Sequence, residues 1–82
     1  MNYRKRNALY EKIAKILNLQ AKTQLQLRKT RIKIFKTMEF FGYKNMSLEE
    51  LKEFVNKLEK AGLTRWSQFS LWLNGDPSWK IL

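Results

Sequence analysis

The sequence predicts a small all-α protein, a bundle of about four helices, because its apolar residues recur at steps of three and four rather than two. Helix start and stop residues bracket those runs. Ser47-Leu48-Glu49-Glu50 is a capping-box signature, and Gly42, Gly62 and Gly75 each follow an apolar stretch. No alternating strand pattern, internal repeat or low-complexity linker intervenes.

At 82 residues the chain holds one domain, since a single core becomes self-sustaining only above roughly 40 to 60 residues. Hydrophobic residues make up 44% and aromatic residues 13%, enough burial to offset the ordering entropy that keeps a polar basic tail unfolded.

Residues 1–41 form the first unit, a basic helical segment with apolar positions at Leu9, Ile13, Ile16 and Leu17, then Leu27, Ile32, Phe35 and Met38. One straight helix from Tyr3 to Phe41 would span about 58 Å at about 1.5 Å per residue, against about 30 Å for a compact domain of this size. The segment therefore either breaks or projects and pairs with a second copy, and a break near Asn18 is expected. The weakest stretch runs from Asn18 to Gln24, where Asn18 can adopt the left-handed conformation and Gln20, Thr23 and Gln24 interrupt the apolar stripe.

Gly42 stops the segment, and Ser47 opens a second helix over residues 47–61, with Met46 and Leu51 placed as a hydrophobic staple. That helix buries Leu51, Phe54, Val55 and Leu58 on one face and ends at Gly62. Thr64 is expected to cap a short helix over residues 64–73 bearing Trp66, Phe69 and Trp72. Asn74-Gly75 closes it, and Asp76-Pro77 starts a last turn over residues 76–82.

Charge divides the chain unevenly. The net charge is +10, from 17 Lys and Arg against 7 Asp and Glu. All of it lies in the first 36 residues, where Arg4, Lys5, Arg6, Lys12, Lys15, Lys22, Arg28, Lys29, Arg31, Lys33 and Lys36 stand against Glu11 alone. The rest is neutral and carries all three Trp. On one continuous helix, Arg4, Lys5, Lys12, Lys15, Lys22, Lys29, Lys33 and Lys36 would share an arc of about 140°. Lys15, Lys22, Lys29 and Lys36 would then stack about 10.5 Å apart. Such a balance points to a polyanionic partner.

The same composition excludes much. With no Cys and no His, disulfide frameworks, zinc fingers, thiolate nucleophiles and imidazole acid-base chemistry are all absent. Glu49, Glu50 and Glu53 crowd the start of a helix, where the macrodipole favours them, rather than forming a catalytic pair. No enzymatic activity and no cofactor are expected. No apolar run approaches the roughly 18 residues that span a bilayer. Met1-Asn2-Tyr3-Arg4-Lys5-Arg6 leads into an amphipathic stretch rather than a signal sequence, so a cytoplasmic protein without membrane association is expected. The Trp residues lie among apolar neighbours in the neutral half, which favours core packing over base stacking.

Residues 13–28, Ile13-Ala14-Lys15-Ile16-Leu17-Asn18-Leu19-Gln20-Ala21-Lys22-Thr23-Gln24-Leu25-Gln26-Leu27-Arg28, resemble the helix-turn-helix of GerE/LuxR-type DNA-binding regulators. Ala14 is small where two helices cross, Asn18 stands at the turn, Leu19 plugs the gap, and Lys22-Thr23 opens the second helix. The resemblance implies DNA binding and transcription regulation, with Gln20, Lys22, Gln26 and Lys29 facing the bases. Gln pairs with adenine and Lys reaches guanine acceptors. It leaves Arg4, Lys5, Arg6, Lys12, Lys15, Arg28, Arg31, Lys33 and Lys36 for phosphates. A homodimer is expected, since two-fold symmetry doubles the contacts of one short reading helix. Two alternatives stay open: an interaction module or inhibitor whose basic helix docks on an acidic protein, and an RNA-binding protein. A fainter likeness to phage-repressor helix-turn-helix segments spans Leu58 to Pro77, where a plain helical hairpin closing the core is the simpler expectation.

Overall fold

The basic segment breaks at Asn18, whose φ of 57° puts it in the left-handed region that ends helices. The computed structural model describes residues 3–81, and both Met1-Asn2 and the final Leu82 of the C-terminal turn lie outside it. Before the break runs α1 (Tyr3–Ile16), and after it α2 (Gln24–Phe40). The Leu19 amide reaches back to the Ala14 carbonyl at 2.9 Å and the Asn18 amide to Lys15 at 3.1 Å. This paired closure satisfies carbonyls that the helix end would otherwise leave without partners.

A second start follows at once. The Thr23 hydroxyl accepts from the Gln26 amide at 3.1 Å, while the Gln26 side-chain oxygen accepts from the Lys22 amide at 2.8 Å. At the far end of α2, Gly42 takes a φ of 89° and the chain turns into α3 (Leu48–Ala61). The capping box is present as expected. The Ser47 hydroxyl accepts from the Glu50 amide at 3.1 Å, and the Glu50 carboxylate from the Ser47 amide at 2.9 Å. Gly62 closes α3, after which come α4 (Trp66–Leu73) and a 3-10 turn, Pro77–Ile81.

The core forms where α1 packs against both α2 and α3, with α4 and the final turn closing one side. Ile13, Leu17, Ile34, Met38, Leu51, Phe54, Val55, Leu58, Leu63, Phe69 and Leu73 are buried in it, and Trp66, Trp72 and Trp79 pack partly buried against it. The longest dimension is 35 Å.

Two expectations fail, each for a visible reason. The inward stripe of α2 runs through Ile34 and Met38, leaving Ile32 44% and Phe35 43% exposed. Arg31 occupies the inward phase between Leu27 and Ile34, and its guanidinium is held 3.0 Å from Glu11. A charged residue inside the buried stripe thus disguised which face was inward. Thr64 does not cap α4 either. Arg65 holds that position, and the buried Gln68 side-chain oxygen accepts from the Thr64 and Arg65 amides at 2.9 and 3.1 Å. The Gln68 amide nitrogen donates to the Trp79 carbonyl at 3.1 Å, which fastens the final turn.

Candidate nucleic-acid interface

The side chains that carry the net charge sit on the α1–α2 hairpin. Its helices meet where Tyr10 packs against Phe35 and Glu11 pairs with Arg31. The break divides the single arc expected of one helix into two faces. On α1, Arg4, Lys5, Lys12 and Lys15 are exposed within about 100° of one another, turned away from the buried Ile13. On α2, Lys29 and Lys36 project outward two turns apart. The seven-residue lysine series is therefore not one stack. Lys15 lies in the last turn of α1, Lys22 stands in the connection, and only Lys29 and Lys36 share a helix.

Internal partners occupy few of these groups. The Lys12 ammonium lies 3.6 Å from Glu59 of α3, and Arg31 is bound to Glu11. The Lys33 ammonium stands 4.3 Å above the Trp66 ring. Arg4, Lys5, Lys15, Lys22, Arg28, Lys29 and Lys36 are exposed and have no carboxylate partner among the described residues; Arg6 also lacks one but is half-buried beside Tyr10.

The four residues expected to face bases are split between two settings. Gln20 and Lys22 lie in the connection from Leu17 to Thr23, while Gln26 and Lys29 lie in the first turns of α2. All four are exposed. Gln26 has its oxygen committed to the Lys22 amide, so pairing with adenine, which needs oxygen and nitrogen together, would require opening that cap. The connection is longer than the roughly three to four residues of a helix-turn-helix turn, and Thr23 stands at the N-cap of α2.

The hairpin also holds a groove that the sequence reading did not anticipate. Tyr3, Arg6, Asn7 and Tyr10 of α1 face Arg28, Arg31, Ile32 and Phe35 of α2 across a volume of about 430 Å³. The Tyr10 and Phe35 rings meet edge to face, 6.2 Å apart at 87°. Burial pushes the Tyr10 hydroxyl pKa up, and the nearby Arg6 charge partly opposes the shift. Two seven-residue pairs, Tyr3 with Tyr10 and Arg28 with Phe35, were the available signal. Each pair lies on one helix, and nothing in the sequence showed that the helices would bring them together.

A second groove carries carboxylates instead of arginines. It encloses about 280 Å³ between Tyr43, Met46, Phe54 and Trp72, with Glu50, Glu53 and Lys57 on its rim. Among the described residues no group of three or more acidic side chains is placed to hold a metal ion, and no helix is long and apolar enough to cross a membrane. No protein-family profile, curated protein or solved structure matches the chain.

Proposed function

We propose that this protein binds nucleic acid through the α1–α2 hairpin, as a small cytoplasmic DNA-binding regulator or accessory factor. One observation carries the reading. The whole net charge of +10 arises in residues 1–36, which fall in the hairpin segment, and among the described residues only Lys12 and Arg31 of these basic side chains are paired with the protein's own carboxylates. Exposed ammonium and guanidinium groups release condensed counterions from a phosphate backbone, and that release drives binding.

In this reading Arg4, Lys5, Lys15, Arg28 and Lys36 contact phosphates and fix orientation without reading sequence. Following the helix-turn-helix resemblance, α2 is the reading helix. Lys29 approaches the bases from its first turns, and Gln20 and Lys22 approach from its lead-in. Two copies on a palindromic site would double these contacts.

A mobility-shift series across salt concentration tests the proposal, using random duplex DNA with structured RNA as competitor. The slope of log K against log salt is expected near −4 to −5, from about −0.9 for each of the five phosphates these side chains neutralise. Preferential displacement by RNA would move the assignment to RNA. A nearly flat response would overturn nucleic-acid binding and favour docking on an acidic protein.

A further inference from the structure

We infer that the groove between α1 and α2 holds an unstacked nucleotide, its base against Tyr3 and Phe35 and its phosphate between Arg6 and Arg28. The inference rests on the nucleic-acid reading and adds to the hairpin a site for one unpaired nucleotide. Tyr3 is 63% and Phe35 43% exposed, large values for aromatic rings on a water-soluble surface. Both border one groove, and two guanidinium groups without carboxylate partners among the described residues stand beside them. Arg31 also lines the groove, but Glu11 neutralises it, so the charge open to a ligand comes from Arg6 and Arg28.

Apolar ring surface next to fixed positive charge is the arrangement that takes single-stranded bases, each offering a π face on one side and an anionic phosphate on the other. Three features separate this occupant from the others such a groove could take. A second copy of the chain would bring its own +10 against the same arginines. An amphipathic acidic helix docks along a continuous apolar row with anchors at i, i+4 and i+7, whereas Arg28 and Arg31 interrupt the row of Leu25, Ile32 and Phe35 on α2. The volume of about 430 Å³, lined by two turns of each helix, is of the size that takes one or two planar groups.

Fluorescence anisotropy on the full-length protein tests this with three labelled probes at one salt concentration. They are an oligothymidylate of about 12 nucleotides, an abasic oligomer of the same length and charge, and a random duplex. Oligothymidylate is expected to bind about 10-fold or more tighter than the abasic strand. Tyr3→Ala and Phe35→Leu are each expected to weaken oligothymidylate binding about 5- to 150-fold, the range of losses when one stacking ring is removed, while leaving duplex binding within about 2-fold. Tyr3 is exposed enough that its replacement leaves the fold intact, which thermal melting verifies. Equal affinity for oligothymidylate and abasic strand, or equal loss on all three probes in the variants, would overturn the inference while leaving backbone binding standing. Failure of every probe to bind would overturn the nucleic-acid reading itself.

Discussion

The ammonium of Lys33 rests 4.3 Å from the centre of the Trp66 ring, joining the charged hairpin to the neutral half through one cation–π contact. Lys33 is therefore partly a structural residue, although it lies in the basic segment. Such contacts contribute about 0.5 to 1 kcal/mol at exposed sites. Lys33→Gln is expected to lower the thermal midpoint while changing the salt slope of DNA binding less than Lys29→Gln does. Paired melting and titration curves separate the two effects.

The Lys22 and Lys29 side chains are exposed and hold no carboxylate partner among the described residues. Reversing both, Lys22→Glu with Lys29→Glu, is expected to abolish DNA binding and leave thermal stability nearly unchanged. A collapse of the fold would show that these positions support the core instead. Circular dichroism melting alongside a mobility shift distinguishes the outcomes.

Leu58 is completely buried in the face of α3 that meets the core. Leu58→Ala is expected to cost about 2 to 5 kcal/mol. That is a large part of the about 5 to 15 kcal/mol that stabilises a typical domain. Urea denaturation measures it directly as a shift in midpoint.

Asn18 contributes in two separable ways. Its backbone sits at φ 57°, and its side-chain nitrogen donates to the Thr64 carbonyl at 2.8 Å. Asn18→Gly keeps the left-handed geometry and loses only the hydrogen bond, worth about 0.5 to 1.5 kcal/mol. Asn18→Ala adds the penalty of a Cβ in that region, about 1 to 2 kcal/mol. The alanine variant is expected to be the less stable of the two by roughly that margin, and equal stability would remove the backbone argument.

The carboxyl of Glu50 is held below its ordinary pKa of 4.5, chiefly by the Ser47 backbone amide and then by the Ser47 hydroxyl. The unfolded chain takes up this proton at a higher pH than the folded one. The stabilisation is therefore complete above about pH 4.5 and is lost as pH falls through the lower folded value. Glu50→Gln keeps an acceptor in the box but cannot titrate. Its melting temperature is expected to fall less steeply than the wild type's below pH 4.5.

Much of this architecture is written in local signals. Ser47 and Glu50 are three positions apart and satisfy each other whatever the rest of the chain does, so α3 was legible from four residues. Asn18 was legible because its backbone preference coincided with a gap in the apolar stripe. What escaped depends on partners distant in sequence. Arg31 reads as a solvent residue until Glu11, on another helix, accepts its guanidinium and lets its stem lie in the inward phase with Ile34. Gln68 reads as an ordinary polar residue of a short helix, yet it satisfies three backbone groups, the last in Trp79. The aromatic–arginine groove is the plainest case, since its two walls acquire a meaning only after α2 folds back on α1.

The bond between Asn18 and Thr64 links the corner joining α1 to α2 with the corner joining α3 to α4. Splaying either pair of helices pulls on the bend of the other. Opening one half therefore strains the other, and the core amides of both are expected to exchange with deuterated solvent at similar rates. A basic limb held this way meets its ligand already shaped, and complex formation is expected to bring little gain in helical signal, unlike a segment that orders only on contact.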